Sequence, residues 1–392
     1  MNQRDRIFAA LDTFRMEIPS WGFANTGTRF GKFIQAAAAT CIEEKFADAG
    51  EVNRLTGAAQ TVALHVLWDL PGGVKDAAEI KRLEAKYGVH AGSINPNLFQ
   101  DQIYKFGSIA NPSAEIRQQA LQHLLESVQI ATALGSKDIS IWDADGSNYP
   151  GTQNMRRRIE WTEHAMAEVH GALRPGQRML IEYKPFEPHF YHMDIGDWGM
   201  ALALAYKAGP QAKVLVDTGH HYQGQNIEQI VAWLLHLEML GGFHFNDRKY
   251  ADDDLTIGSI DPYQVFRIFH EILSDQSGAA TNVAFMIDQS HNLKGKVESM
   301  IQTVVTAQEI YARAALVNHE QLATLQSKCD LLSAEELFRG FFWTDVRPTV
   351  REWRESKGLP PDPLAELACS GYVEDAARSR GARNADLLTT YA

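Results

Sequence analysis

The sequence is poor in cysteine and has no paired cysteine motif. Cys41, Cys329 and Cys369 are the only cysteines in 392 residues, and they are too widely spaced to form a CxxC pair. An odd number of scattered cysteines does not make a disulfide framework, which excludes the small disulfide-bonded secreted class. We therefore expect reduced thiols and a cytoplasmic protein.

The sequence also lacks an apolar run long enough to cross a membrane. No stretch of 18 consecutive apolar residues occurs, and the beginning, MNQRDRIFAALDTF, places charges among its apolar residues at helical spacing. A signal peptide would need an uninterrupted apolar core. We therefore predict an amphipathic first helix and no membrane partner.

The sequence also has fewer positively charged residues than negatively charged ones. Lysine and arginine number 37 against 49 aspartates and glutamates, so the formal net charge is −12. Proteins that bind nucleic acid need basic side chains to neutralise phosphates. The composition therefore excludes a nucleic-acid partner and favours an enzyme of small neutral molecules.

No glycine-rich phosphate loop follows the first predicted strand, since neither GxGxxG nor GxxxxGK[ST] occurs there. This argues against a doubly wound open sheet. Apolar strand patterns instead alternate with helical periodicity eight times, beginning with a strand near 17–23 and ending with a helix near 296–316. We predict an α/β fold, a (β/α)8 TIM barrel over residues 1–316, with a C-terminal helical extension over residues 317–392. The extension is too small for an independent domain, so we expect it to contact the barrel or a neighbouring subunit.

Three apolar runs, MLIEYKP, VLVDTGH and GGFHFND, carry chemically active side chains at or just beyond their C-terminal ends. Side chains alternate between the two faces of a strand, so Glu182 and Lys184 share the interior face of the first run. Asp217 faces the interior in the second run, and His220 follows after one tight turn. His244 is the inward residue of the third run, between two outward phenylalanines.

Two further carboxylate sources follow these strands. One is the run Asp252, Asp253, Asp254, and the other is Asp288, which ends a strand with the sequence VAFMI. Any one of these acids could simply cap a helix. Together they supply Glu, Asp and His from successive strand ends, which is the ligand set that Mg²⁺, Mn²⁺ and Co²⁺ accept. We predict a metal site at the C-terminal end of the barrel, where TIM-barrel enzymes have their active sites.

Aromatic residues predict an apolar wall beside this site, against which the C–H face of a sugar or a 6-deoxy methyl group could pack. These residues are Trp21, Phe30, Trp68 and Trp142. His65 ends the second strand and could move a proton at the ring oxygen during ring opening. An equally good interpretation is that Asp69 simply satisfies this histidine.

Seven segments between about residues 16 and 316 read PSWGFANTGTRF, LHVLWD, IWDADGSNYPG, IEYKPFEPHF, VDTGHH, GGFHFNDRKYADDDL and MIDQSHN. Together they resemble the L-rhamnose isomerases of the broad-specificity bacterial type. The resemblance implies a TIM barrel similar to xylose isomerase, usually a homotetramer, that interconverts an aldose and a 2-ketose. It also implies two divalent cations, commonly Mn²⁺, with Mg²⁺, Co²⁺ or Zn²⁺ as alternatives.

The resemblance also implies roles for individual residues. A structural ion would be held by Glu182, Asp217, His244 and Asp288. A catalytic ion would be held by a bridging Glu182 with His220, Asp252 and Asp254. Catalytic roles near the substrate would belong to Lys184, His65 and Asp288. Substrate contacts would come from Trp21, Phe30, Trp142, Lys184 and His220.

The residues alone leave other functions open. A metal-dependent ketose 3-epimerase would use similar ligands on the same scaffold, although the carboxylate run at 252–254 favours two metals. An isomerase of D-allose, L-mannose or L-lyxose is equally compatible with the ligand set. A metal-dependent abasic-site endonuclease is disfavoured by the negative charge. A sugar-binding barrel without chemistry would lack an expected ligand, and none is missing.

Overall fold

The computed structural model describes residues 2–25, 33–186 and 192–386. Eight parallel strands form one sheet in chain order. They are β1 (Ile18–Pro19), β2 (Thr61–His65), β3 (His90–Asn95), β4 (Asp138–Trp142), β5 (Arg178–Glu182), β6 (Ala212–Asp217), β7 (Leu240–Phe245) and β8 (Ala284–Ile287). The sheet closes on itself through Glu17, which bridges to Met286 and whose backbone N–H donates to the Phe285 carbonyl at 2.7 Å. The predicted TIM barrel is confirmed.

Helices surround this barrel and connect its strands. They are α1 (Gln3–Thr13), α2 (Ile42–Thr56), α3 (Ala77–Tyr87), α4 (Ala114–Leu134), α5 (Met155–Ala172), α6 (Trp198–Ala208), α7 (Ile227–His236), α8 (Pro262–Ser274) and α9 (Lys296–Ala315). In several of these helices the first turn is capped by a side chain. For example, Asn226 Oδ1 accepts a hydrogen bond from the Gln229 N–H at 2.9 Å. Helix α4 ends at Gly135, whose φ of +73° is the left-handed conformation that favours glycine.

The alternation along the strands separates two apolar layers, as the sequence predicts. Leu180, Leu215 and Met286 face inward and pack together inside the barrel. Their neighbours along the strands, such as Ile181 and Val216, face outward and join the main core under the helices. Continuing the inward series by two residues on β5 and β6 therefore brings Glu182 and Asp217 to the barrel mouth.

Two predicted elements differ from the structure. The first strand is limited to Ile18–Pro19 and continues as a 3₁₀ turn, Ser20–Phe23. The alanine-rich stretch from Ala36 to Phe46 predicts a helix from its composition, but the helix begins only at Ile42. The alanine-rich stretch before it is irregular because its backbone pairs elsewhere: the Ala39 N–H donates to the Phe23 carbonyl at 2.9 Å. Tertiary hydrogen bonds here override helix propensity.

Five helices follow the barrel, as the predicted extension requires. They are α10 (His319–Ser327), α11 (Leu331–Phe342), α12 (Arg347–Ser356), α13 (Pro363–Ser370) and α14 (Tyr372–Asp386). Trp353 of α12 is buried with Ile7 and Leu11 of α1, and Leu367 of α13 joins the main core. Across the described ranges, no helix combines the length and apolarity needed to cross a bilayer.

Candidate metal centre

The C-terminal ends of four neighbouring strands bring together one group of possible metal ligands. Glu182 and Asp217 end β5 and β6, His244 lies one residue before the end of β7, and Asp288 directly follows β8. One ligand atom from each lies within 4.8 Å of all the others. These are the four residues that the resemblance assigns to a structural ion.

A second group shares Asp217 with the first and adds His220 and Asp252. The turn between Asp217 and His220 is tight because Gly219 has no side chain. A Cβ atom there would lie 2.6 Å from Asn246 Oδ1 and 2.8 Å from Asp252 Oδ1. The glycine thus allows the acids of two different loops to approach one another closely.

Glu182 lies between the two histidines. Its Oε1 is 3.2 Å from His220 Nδ1, and its Oε2 is 3.2 Å from His244 Nδ1. Asp217 Oδ2 is similarly central, at 3.9 Å from both His220 Nε2 and His244 Nδ1. The resemblance implies a bridging position for Glu182 alone, whereas in the structure both Glu182 and Asp217 lie between the histidines of the two groups.

Asp254 lines the same pocket but is not part of the second group. Its φ of +48° is unusual for a residue with a side chain. Burial, together with the charges of Asp252, Asp288 and Asp217, raises its pKa well above the ordinary value. A strained backbone that holds a carboxylate against like charges is typical of functional sites.

Several buried polar atoms of this centre have no hydrogen-bond partner among the described residues. They are Asp217 Oδ2, Asp252 Oδ1, and Nδ1 and Nε2 of His244. His244 Nδ1 lies 3.2 Å from Glu182 Oε2, but the two groups are not oriented as a hydrogen bond requires. Buried polar groups are normally paired, so the orphaned atoms indicate a missing partner. Because all are carboxylate oxygens or imidazole nitrogens, the donor set fits a divalent cation.

The electrostatics of the metal-free chain are dominated by excess negative charge. Burial alone would lower the pKa of His244, but Glu182, Asp288 and Asp217 more than offset it and raise this pKa to about 9. Burial is likewise outweighed at His220, whose pKa is raised by Asp217 and Asp252. Burial raises the pKa of Asp217 to about 7, against the opposing effect of His220. The acids therefore favour the protonated form of both imidazoles, whose positive charge partly balances theirs.

Lys184 is the remaining cation of the centre. Its Nζ donates to Asp252 Oδ2 at 2.6 Å and lies 5.4 Å from the centre of the Trp142 ring. Burial opposes its charge, but Asp252 and Asp254 outweigh burial and raise its pKa. The ammonium is therefore charged and lies between the acids and an aromatic surface.

Aromatic rings form one wall of the pocket above the acids. The centre of the His65 ring lies 4.6 Å from that of Trp21 and 4.3 Å from that of Trp68. Phe99 continues the wall, 5.1 Å from Trp142. Sequence reasoning missed Phe99, which lies in the loop after β3 where no periodicity indicates a direction. Trp21 also donates from Nε1 to Asp288 Oδ1 at 2.9 Å, which connects the wall to the acids.

Among the described residues, Asp69 makes no hydrogen bond to the His65 ring. Both oxygens of Asp69 are engaged elsewhere: Oδ1 by Lys45 and Oδ2 by Ser20 and the His65 backbone N–H. His65 Nδ1 is buried without a hydrogen-bond partner among the described residues, so Asp69 does not satisfy the ring. Burial lowers the pKa of His65 to about 3, which keeps the imidazole neutral. Phe30, also predicted for the pocket, lies outside the described residues.

Sequence comparisons match this chain to a family model and to several known proteins. A family model for the xylose isomerase-like TIM barrel matches residues 53–275. A probable sugar isomerase of Mesorhizobium japonicum is 39% identical over 385 residues, covering 96% of this chain and 89% of that protein. A probable sugar isomerase of Rhizobium meliloti matches to the same extent. The xylose isomerase of Thermus thermophilus is 26% identical over 184 residues, covering 44% of this chain and 46% of that protein.

Solved structures share the fold at low sequence identity. A D-allulose 3-epimerase from Methylomonas sp. has a TM-score of 0.55 at 14% identity and covers 74% of this chain and 95% of its own. A xylose isomerase-like TIM barrel protein from Mycobacterium smegmatis in complex with magnesium has a TM-score of 0.53 at 12% identity, covering 78% and 99%. At these identities the likeness concerns the fold alone.

Proposed function

Because the chain belongs to the xylose isomerase-like TIM barrel family, we propose that it is a metal-dependent sugar isomerase that interconverts an aldose and a 2-ketose. The observation that carries this proposal is the four-ligand group at the barrel mouth with orphaned buried ligand atoms. The relatives at 39% identity, both probable sugar isomerases, support the reaction class.

We propose L-rhamnose as the aldose and L-rhamnulose as the ketose, with slower action on other aldoses. The seven sequence segments given above support this choice. The aromatic wall of Trp21, Phe99 and Trp142 also supports it, because a 6-deoxy sugar carries a methyl group that such a surface can bury.

The cofactor in this proposal is a pair of divalent cations, with Mn²⁺ expected. Glu182, Asp217, His244 and Asp288 would hold one ion, and Asp217, His220 and Asp252 would contribute to the second, with Glu182 between them. Bound cations would polarise the sugar's carbonyl and hydroxyl oxygens and stabilise negative charge that develops on them.

The chain's own residues would supply the remaining steps. Lys184 would donate a hydrogen bond to a substrate oxygen, since its charged Nζ faces the pocket. His65, a neutral imidazole because its pKa is about 3, would accept the proton of the anomeric hydroxyl as the C1–O bond of the ring breaks. It would then pass that proton to the ring oxygen, which becomes a hydroxyl. The rings beside it would orient the sugar and exclude water.

The experiment that tests the reaction is a panel of aldoses with the Mn²⁺-loaded protein, scored for ketose formation. L-Rhamnose should be converted fastest, with D-allose, L-mannose and L-lyxose as comparisons. Binding of these sugars without turnover of any of them would contradict an isomerase and favour a sugar-binding barrel.

A ketose 3-epimerase is the second candidate, and one observation favours it. The first ligand group has four members and is complete without the second, while Lys184 pairs with Asp252 of the second group. One ion flanked by carboxylates would suit proton transfer at a carbon next to a carbonyl. The same panel, extended to 2-ketoses and scored for C3 epimers, separates the two reactions.

We also propose a cytoplasmic homotetramer in which the extension, residues 317–392, contributes subunit contacts. Leu331, Leu332 and Trp343 of this extension are 73%, 74% and 72% exposed. Large exposed apolar side chains of this kind are typical of interfaces. Light scattering of the metal-loaded protein would give the subunit number directly.

A further inference from the structure

The last helix, α14, meets the barrel through polar side chains that are almost fully buried. Arg380 is 5% exposed and Asn384 1%, although both lie within 13 residues of the chain end. Arg380 donates to both oxygens of Asp48, at 2.8 and 2.9 Å, and to the Ala37 carbonyl at 2.8 Å. Burying so many polar groups requires that nearly all of them be paired, which fixes the position of the helix closely.

Both the nitrogen and the oxygen of the Asn384 side-chain amide form hydrogen bonds, with Asn25 and with the backbone of Ala36 and Ala38. Its Nδ2 donates to the carbonyls of Ala36 and Ala38, at 3.0 and 2.9 Å. Its Oδ1 accepts from Asn25 Nδ2 at 2.8 Å. Asn25 in turn forms two hydrogen bonds with the backbone of Gln35, each 3.0 Å long. One side chain of α14 therefore holds both Asn25 and the residues just after Gln35.

Gln35 joins this network to the loop at 291–294. Its Nε2 lies within hydrogen-bond distance of the carbonyls of His291, Asn292 and Lys294, at 3.4, 3.1 and 2.8 Å. This loop begins three residues after Asp288, one of the four ligands of the first group. Asn25 follows the turn Ser20–Phe23, whose Trp21 donates to that same Asp288. Both routes from Asn384 thus end beside one side chain of the metal centre.

We infer that Asn384 is a positioning residue that sets the substrate side of the site through Asn25 and Gln35. The inference rests on the proposed function. Asn384 touches neither the ligand groups nor the pocket wall, so its effect on a sugar would pass through the orientation of Trp21 and the loop at 291–294. Loss of its hydrogen bonds should change how a sugar is held and leave the metal ligands in place.

The test compares two variants that each remove hydrogen bonds of α14. Asn384→Leu removes the connection to Asn25, Ala36 and Ala38. Tyr372→Phe is the matched control, because Tyr372 donates to Asp48 at 2.7 Å from the same helix but, in the part of the chain that the structure describes, forms no hydrogen bond with Asn25, Ala36 or Ala38. Both variants should lower the melting temperature to some extent. Only Asn384→Leu should raise the KM for the sugar, by about 2- to 30-fold, the range found for residues that modulate binding without contact.

Hydrogen exchange provides a readout that does not depend on activity. In Asn384→Leu, backbone amides at 33–39 and 291–296 should exchange faster, whereas Tyr372→Phe should leave them unchanged. Gln35→Leu should reproduce the effect at 291–296, and the double variant should add little to either single one. If the wild-type protein isomerises no sugar, the proposed function fails, and these exchange rates still decide the positioning role. Equal exchange and equal KM in Asn384→Leu and Tyr372→Phe would overturn it.

Discussion

Both ends of the barrel carry buried or half-buried charged side chains, but the hydrogen-bond partners of these side chains differ between the two ends. At the N-terminal end, Arg178 forms two hydrogen bonds with Asp138, at 2.7 and 2.8 Å, and Glu17 accepts from the N–H and hydroxyl of Ser93. At the C-terminal mouth, acids outnumber cations, and ligand atoms of Asp217, Asp252 and His244 lack partners among the described residues. The charged groups named at the first end are paired within the protein, whereas ligand atoms at the second have no protein partner among the described residues.

The largest difference between the two ends should appear when one carboxylate is removed from each. Glu182→Gln should lower activity by at least about 1000-fold, because Glu182 lies between both ligand groups and each ion contributes several kcal/mol of charge stabilisation. Glu17→Gln should leave activity within about 2-fold, since an amide oxygen can still accept from Ser93. Steady-state kinetics and metal content check both variants. Activity above roughly a tenth in Glu182→Gln would remove this residue from the centre.

A second pair compares two lysines. Lys184→Met should lower turnover by about 100-fold, the loss typical of one hydrogen-bond donor to a developing negative charge. Its metal content should be retained, because Lys184 competes with the ions for Asp252 rather than holding them. Lys213→Met serves as the control, since Lys213 donates to the Glu238 carbonyl at the opposite end. Loss of bound metal in Lys184→Met would instead make Lys184 a structural counter-ion.

The aromatic wall should have a smaller effect. Phe99→Leu should raise the KM for the sugar about 2- to 12-fold, corresponding to the roughly 0.5–1.5 kcal/mol of a specific aromatic contact. Phe285→Leu, on the outward face of β8, should lower stability without changing the KM. A KM that changes equally in both variants would mean that Phe99 acts through general packing.

Metal removal should change stability in a pH-dependent way. Chelation should lower the melting temperature near neutral pH by at least about 3 °C, because only the folded chain brings the ligands together. The pKa of His244 is raised to about 9 in the folded metal-free chain, so the stability that its proton contributes is complete below about 6.5 and is lost as pH rises through 9. Metal ions also meet less proton competition over this range. The difference between melts with EDTA and with Mn²⁺ should therefore widen from pH 6.5 to 9, and identical melts would contradict a metal centre.

Much of the mouth could be predicted because strand alternation is local. The inward series on β5 and β6 identifies Glu182 and Asp217 from their spacing alone, and the tight turn after β6 makes His220 their neighbour. That Asp217 is shared by both ligand groups could not be predicted, since this depends on distances between strands and loops far apart in sequence. Phe99 and the irregular stretch after Gln35 were missed for the same reason. The carbonyls of Ala36 and Ala38 are bonded by Asn384, whose position no local pattern shows.

If divalent cations bind at the mouth in exchange for protons, a calorimetric titration detects both the binding and the proton release. Metal-free protein is titrated with Mn²⁺ at pH 7 in two buffers of different ionisation enthalpy. The surrounding acids raise the pKa of His220 and of His244 and so favour their protonated forms, whereas each imidazole must be neutral to coordinate a cation. We expect two ions to bind per chain with a net release of protons. The measured heat of binding should therefore differ between the two buffers. Absence of binding, or binding with the same heat in both buffers, would contradict it.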